Sequence, residues 1–381
     1  MKILEITNYT AGADGVFSRV KQESFVLAKL GHEVKIFSTN KTKGSSKIAT
    51  KKETLNEDNI KVEVERFKSV KLGGESYMYW NFKKEALKFN PDLIIAHSYR
   101  HLHTHMALKI GKKLNVPVLL VTHAPFERSS TRNFLEKIIV CFYDKIIGKK
   151  ILNKFTKVIA ITKWEISYLK KIGLEKEKII YLPNGTPKIF FSKAQNKKNN
   201  KIIYLGRISP IKNLEVVLEA LSANKNKEIF CKFFGPAEEK YLKKLNRIIK
   251  IKRLKNIEII NQHYDIKKQL KELDSSFIFI LPSKSEGMPQ ALIEAMARKK
   301  IVVASDIIAS RELIKNGKNG FLFPLNDSEY LAKLLDKIIN LPNAEIFKIQ
   351  NEARKSVEQF SWENLSKKLD NLITSLKQAS H

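Results

Sequence analysis

The feature that most limits what this chain can fold into is an alternation of short apolar, β-branched runs with helical patterns, sustained over most of its length. Runs at residues 3–6, 33–38, 93–96, 118–122, 158–161 and 179–182 read as strands. Between the first two, residues from about 16 to 30 read as a helix, closed by Gly31 just past its end. Strands separated by helices imply a parallel sheet with right-handed crossovers.

A dense turn signal, Leu182-Pro183-Asn184-Gly185-Thr186-Pro187, interrupts the alternation and is followed by a polar run over 192–201. A second set of strand-like runs then begins, at 202–205, 229–233, 257–260, 277–281, 301–304 and 320–323. The 381 residues suit two domains of ordinary size. The boundary falls after Gly185, giving an α/β chain with Rossmann-like units at 1–185 and 186–361. No short-period repeat is present, which excludes a solenoid. Two segments stand outside the pattern. Residues 41–52 form a Lys/Ser/Thr-rich stretch expected to be a mobile loop. Residues 134–152 are apolar but carry Lys137, Lys145, Lys149 and Lys150. That segment reads first as a packed helix with a solvated charged face, and second as a basic amphipathic helix lying on a membrane.

Lys and Arg number 70 against 39 Asp and Glu, a formal net charge of +31. Three readings of that excess stand side by side: an AT-rich coding bias that favours Lys, Ile and Asn, an anionic membrane surface as partner, and nucleic acid. The basic segments match no nucleic-acid module, so no nucleic acid is expected as a partner. Cys141 and Cys231 lack metal-ligand spacing and read as free thiols in a reducing cytosol. The N-terminal Met1-Lys2-Ile3-Leu4-Glu5-Ile6 reads as a first strand rather than a signal peptide, and no apolar stretch is long enough to span a bilayer. The expected location is cytoplasmic, with a peripheral place at the membrane face.

The residues that carry chemistry cluster after two of the strand-like runs. The run at 277–281 leads into Ser283-Lys284-Ser285-Glu286-Gly287-Met288-Pro289-Gln290-Ala291-Leu292-Ile293-Glu294-Ala295-Met296-Ala297. Pro289 suits the first turn of a helix, so a strand, a loop with Glu286 and Gly287, and a helix N-terminus follow one another. Free N–H groups there favour an anion, and in an open α/β sheet ligands gather outside the carboxyl ends of the strands. Glu294 lies about one and a half turns into that helix. Gly15 stands between the first strand and first helix, where a bare backbone permits close approach. Asp14 reads first as a helix cap and second as an acceptor contact. His97, His101, His103 and His105 come close to a metal-ligand spacing, but a helix-start reading suits them better and no carboxylate or cysteine completes a set.

The 283–297 stretch, with two glutamates eight positions apart, closely resembles the signature of glycosyltransferase family 4. Five further stretches fall in that family's order. They are Asp14-Gly15-Val16 leading to Gly31-His32-Glu33-Val34; Pro91-Asp92-Leu93-Ile94-Ile95-Ala96-His97; Val121-Thr122-His123; Val158-Ile159-Ala160-Ile161-Thr162 with Pro183-Asn184-Gly185; and Leu205-Gly206-Arg207 with Lys212. The tail Asn319-Gly320-Phe321-Leu322 also fits, so the resemblance spans nearly the whole chain. It implies the GT-B architecture: two Rossmann-like domains facing a cleft, an acceptor domain at 1–185 completed by a helix at 362–381, and a donor domain at 186–361. It implies a retaining hexosyltransferase that needs no metal or other cofactor, with a UDP- or GDP-sugar as donor and a glycan or lipid-linked acceptor. By the same resemblance Arg207 and Lys212 hold the diphosphate and Glu286 the transferred sugar. Gly287, Met288 and Pro289 complete the donor loop, and Glu294 takes the ribose. Gly15 and His123 reach the donor when the domains close. Many members carry two adjacent glycines where this chain has Asp14-Gly15, which leaves the acceptor side less defined.

Fixed cations suit that chemistry, because charge builds on the leaving nucleoside diphosphate as the glycosidic bond breaks. An Asp-x-Asp metal motif, a Gly-x-Gly-x-x-Gly fingerprint, an ATPase phosphate loop and a Gly-x-Ser-x-Gly elbow are all absent. No carboxylate presents itself as a nucleophile on the opposite face, which favours front-face attack over double displacement. Two rivals remain: a nucleotide-sugar epimerase of similar fold, and a basic membrane- or RNA-binding protein on a degenerate transferase scaffold.

Overall fold

Runs of branched apolar residues, covered on both faces, become the central strands of two parallel sheets, as such runs do. The computed structural model describes residues 1–12, 15–43, 46–72, 77–125, 134–194, 197–224, 228–263 and 265–378. The chain divides into two units, one taking in residues 1–128, 132–185 and 362–381, the other residues 186–361.

In the first unit the strands are β1 (Lys2–Ile6), β2 (Glu33–Thr39), β3 (Lys52–Glu57), β4 (Ile60–Phe67), β5 (Ser69–Lys71), β6 (Met78–Trp80), β7 (Leu93–His97), β8 (Val118–Val121), β9 (Lys157–Ala160) and β10 (Ile179–Tyr181). Eight of them form one sheet in the order β10-β9-β8-β7-β1-β2-β4-β3, and β5 pairs with β6 separately. All pairings in the large sheet are parallel except β3 with β4. Strand order reverses between β1 and β7, where Ile3 lies beside Leu93. The helix Gly15–Lys29 follows β1 and ends on Gly31, whose φ of 85° suits a residue without a side chain. Trp80 and Phe82, with ring centroids 4.5 Å apart, help fill the core beneath β1 and β7. The closing helix Trp362–Gln378 belongs to this unit, and its Trp362 indole N–H donates to Gln22. Gly185 lies flat on that indole, where a Cβ would come within 2.3 Å of the ring.

In the second unit the strands are β11 (Lys201–Leu205), β12 (Phe230–Phe234), β13 (Ile257–Ile260), β14 (Ile278–Leu281), β15 (Ile301–Ser305) and β16 (Phe321–Phe323). They form one all-parallel sheet in the order β13-β12-β11-β14-β15-β16, which reverses between β11 and β14. Buried side chains from both faces, among them Tyr204, Phe233 and Phe279, make its core.

Two features differ from the sequence reading. β3 and β4 form a hairpin that it did not mark. Asp58 and Asn59 make its two-residue turn with φ of 48° and 65°, as tight hairpins require. Residues 134–152 are not an ordinary packed helix. The helix Phe134–Tyr143 has no buried residue, and a π-helical turn, Asp144–Gly148, separates it from the helix Lys149–Leu152. The four closely spaced histidines follow the helix-start reading and do not share a strand face: His97 ends β7, and the helix Leu102–Leu114 begins just after His101. Asp14 and its capping role lie outside the described residues. Cys141 is exposed and Cys231 buried, both as free thiols. Among the described residues no helix is long and apolar enough to cross a membrane.

Candidate active site

In the second unit the chemistry collects at the carboxyl ends of β11 and β14, at the switch point where such sheets place their ligands. After β11 the chain passes through Gly206 and Arg207 into a short 3-10 turn, Pro210–Lys212. After β14 it passes through Ser283 to Glu286. Two bonds join the loops: Lys284 N–H donates to the Ile211 carbonyl at 2.8 Å, and Lys212 Nζ meets Glu286 Oε1 at 2.6 Å. Ser283 Oγ donates to the same Glu286 oxygen at 2.6 Å, and Ser305 Oγ donates in turn to the Ser283 carbonyl at 2.5 Å. Lys212 and Glu286 are 19% and 13% exposed at their side chains. That exposure marks a charge pair that is sheltered yet open to a ligand.

Arg207 shares this edge but pairs with Glu238 at 3.5 Å rather than with the Lys212–Glu286 pair. Gly287 and Met288 are half-buried in the loop. Pro289 takes the N-cap place of the helix Gln290–Ala297, one residue earlier than its expected helical position. Glu294 is buried on that helix and accepts a hydrogen bond from Gln269. Burial pushes its carboxyl up to about 7, against hydrogen bonds from Gln269 and Gln290 that favour the ion.

Gly235, after β12, was not singled out in the sequence. Its φ is 151°, and a Cβ there would sit 2.0 Å from the Gly206 carbonyl oxygen. The position after a strand that neighbours β11 was the available signal. Gly235→Ala forces these two strand ends apart, so we expect a loss of about 1–3 kcal/mol in unfolding free energy. Denaturant titration of the variant checks it.

In the first unit a second cluster sits at the β1/β7 switch point. Glu5, fully buried on β1, lies 2.5 Å from His97 Nε2, and His97 Nδ1 lies 3.0 Å from His123 Nε2. Burial, reinforced by the Glu23 carboxylate and opposed by Arg19, raises the Glu5 carboxyl well above its usual range. Burial lowers His97 to about 3 and holds His123 well below its usual value. Burial thus keeps His97 and His123 neutral near pH 7, and the contacts run as a chain from Glu5 through His97 to His123. Among the described residues, Glu5, Glu23 and His97 are the one group whose ligand-type atoms gather within 4.8 Å of one another. Arg19 engages Glu23 at 3.0 Å and also donates to the Leu182 carbonyl and Asn184, so a guanidinium already supplies cationic charge there.

His123 itself is held in an uncommon shape. His123 and Ala124 both have left-handed backbones, with φ of 59° and 52°, a conformation uncommon for residues with a Cβ. Glu165 fixes it: its Oε1 accepts from Thr122 Oγ1 at 2.5 Å and from Ala124 N–H at 2.7 Å. Its Oε2 accepts from Ile161 N–H at 2.7 Å and Thr162 N–H at 3.0 Å. The sequence reading missed Glu165, although Thr162-x-x-Glu165 is a capping-box spacing that announces a helix start. Gly15, the first residue of its helix, faces open space: a Cβ there would meet no atom within 4 Å.

Comparison with known proteins agrees with this fold. The family described as "Glycosyltransferase Family 4" matches residues 13–187, and that described as "Glycosyl transferases group 1" matches residues 185–359. The capsular polysaccharide biosynthesis glycosyltransferase CapH of Staphylococcus aureus is 32% identical over 54% of this chain and 62% of its own length. The UDP-Gal:alpha-D-GlcNAc-diphosphoundecaprenol alpha-1,3-galactosyltransferase of Escherichia coli is 26% identical over 65% of this chain and 70% of its own. In two further curated relatives the match spans only 62% and 54% of their length. The crystal structure of Alr3699/HepE from Anabaena in complex with UDP superposes with a TM-score of 0.76, at 18% identity, covering 98% of this chain and 100% of that one. Two Rossmann-like α/β units with parallel sheets, each with its polar residues at the switch point, define the GT-B class of glycosyltransferase fold. Within that class the chain belongs to glycosyltransferase family 4.

Proposed function

We propose that this protein transfers a sugar from a UDP- or GDP-linked donor to a glycan or lipid-linked acceptor. In this reading the anomeric configuration is retained and no metal takes part. The observation that carries it is the Lys212–Glu286 pair at 2.6 Å, on loops that leave the β11/β14 switch point. A cation and a carboxylate held together there match the two ends of a sugar diphosphate. Lys212, aided by Arg207, stabilises charge growing on the leaving phosphate. Glu286 accepts hydrogen bonds from hydroxyls of the transferred sugar. Glu294, once ionised, accepts from the ribose diol, and the loop of Gly287, Met288 and Pro289 with the following helix N-terminus faces the diphosphate. In the first unit, His123 serves the transferred sugar and Gly15 leaves room for a ligand.

The acceptor hydroxyl attacks the anomeric carbon from the face the phosphate leaves, and the departing phosphate oxygen takes its proton. Bond making and proton transfer then balance without a protein nucleophile. Two similar proteins support the donor and acceptor classes: one is named for UDP-Gal and a diphosphoundecaprenol acceptor, the other was crystallised with UDP. The net charge of +31 supports a cytoplasmic place at an anionic membrane face.

Calorimetric binding of UDP- and GDP-sugars in the presence of a chelator tests the donor side. Binding that one nucleotide series retains under chelation supports the reading, and absence of binding by either series overturns it. The Glu294 carboxyl supplies a pH signature. With its pKa at about 7 in the free protein, it must lose a proton to hold the ribose. Donor affinity is then flat above pH 7 and falls by up to about tenfold per unit below it. Glu294→Gln removes that slope.

A further inference from the structure

The contacts of the segment Phe134–Leu152 with the rest of its unit are seen around Tyr143, Asp144 and Gly148. Arg100 grips the Asp144 carboxylate with Nε at 2.9 Å and Nη2 at 2.5 Å, and Tyr99 donates to it at 3.1 Å. His105 meets the Tyr143 hydroxyl at 2.9 Å. Gly148 lies so close to Tyr99 that a Cβ would come 2.5 Å from its hydroxyl. These contacts all use the side of the helix that carries Tyr143, Asp144 and Gly148. The π-helical turn Asp144–Gly148 lies among these contacts.

The free face is apolar. Leu135, Ile138, Ile139, Phe142 and Ile146 are each between 49% and 69% exposed. At about 100° per residue, those from 135 to 142 fall within an arc of roughly 100°. A helix on a soluble domain turns such a stripe inward, and a contiguous apolar patch left outside marks an interaction surface. The same segment carries exposed Lys137, Lys145, Lys149 and Lys150. Its two acids are Glu136 and Asp144, and Asp144 is taken up by Arg100.

We propose that this face docks the protein on an anionic lipid bilayer, with the aliphatic and aromatic side chains in the acyl boundary and the lysines among headgroup phosphates. Charge favours this occupant over a second copy, which would bring another +31 against the first. A bilayer also accepts Leu, Ile and Phe without a shaped pocket, and lysines rather than arginines are the cations present. The proposal deepens the membrane part of the reading above. Its test reads vesicle binding alone, so failure of sugar transfer and failure of docking are separable.

Full-length protein is co-sedimented with phosphatidylcholine vesicles, and with phosphatidylcholine mixed with phosphatidylglycerol, at low and high salt. Wild type binds the anionic vesicles, and binds them less at high salt. An Ile138→Ser, Ile139→Ser, Phe142→Ser variant partitions at least about tenfold more weakly. A Lys137→Gln, Lys145→Gln, Lys149→Gln, Lys150→Gln variant does so at low salt and loses the salt dependence. All of these positions are exposed, so unfolding curves stay as in wild type. Wild type left in the supernatant with anionic vesicles at low salt overturns the proposal, as does a triple-serine variant that binds undiminished. Lipid-free self-association that the triple-serine variant abolishes, with no vesicle binding, assigns the face to a second copy instead.

Discussion

Lys212→Ala and Glu286→Gln are each expected to lower sugar transfer by about a hundred- to a thousandfold while the fold survives. Lys212 and Glu286 lie 2.6 Å apart and both are partly open to solvent. Neither substitution therefore leaves a deeply buried charge without a partner, and the cost to stability stays small. The loss falls on the chemistry. Without Lys212 the charge on the leaving diphosphate has one fixed cation fewer, and donor affinity weakens as well, because a charge-assisted bond to phosphate is worth about 1.5–3 kcal/mol. Glu286→Gln keeps the size and replaces the carboxylate that the proposed function assigns to sugar hydroxyls. Nucleoside diphosphate release, followed alongside the unfolding transition, separates the two effects. Turnover close to wild type in either variant removes the pair from the mechanism.

The second large effect lies in the other unit. Glu165→Ala is expected to destabilise that unit by about 3 kcal/mol or more. The truncation leaves Thr122 Oγ1 and the N–H groups of Ala124, Ile161 and Thr162 without their common acceptor in a buried place. It also releases the left-handed turn at His123 and Ala124, whose backbone costs about 1–3 kcal/mol per residue and persists only while its surroundings hold it. The chain's three tryptophans, Trp80, Trp164 and Trp362, all lie in this unit. Tryptophan fluorescence during urea unfolding therefore reports on it selectively. A wild-type midpoint for Glu165→Ala contradicts the role given to this carboxylate.

Much of the fold was legible because its central strands are buried on both faces and so appear as unbroken apolar runs. The strand expected at 202–205 is β11 at Lys201–Leu205, and that at 301–304 is β15 at Ile301–Ser305. The β3–β4 hairpin escaped because its apolar residues are sparse: Val62 and Val64 are buried between exposed Lys61, Glu63 and a half-exposed Glu65. That alternation is the signature of a strand at a sheet margin, not of a central one. The placing of Lys212 and Glu286 on facing loops follows from two switch-point strands, which the alternation implied once the family resemblance gave the motifs their roles.

The first-unit site was less legible, for a physical reason. Glu5 is one carboxylate within an apolar strand, and His97 lies 92 residues away from it, so nothing local links them. Only the parallel pairing of β1 with β7 brings them together. The exposed face at 135–146 was ambiguous for a related reason. Periodicity reports that a helix has an apolar side, and only the surrounding structure decides whether that side is covered.

The most direct test of the central claim is a mass-spectrometric turnover screen. Purified protein is incubated with UDP- and GDP-sugars, in the presence of a chelator, and with a lipid extract and a panel of simple glycan acceptors. The account predicts release of one nucleoside diphosphate together with an acceptor heavier by one sugar residue, and loss of both signals in Lys212→Ala. An isomerised donor formed without acceptor, or a chain that neither consumes nor binds any of these nucleotides, contradicts it.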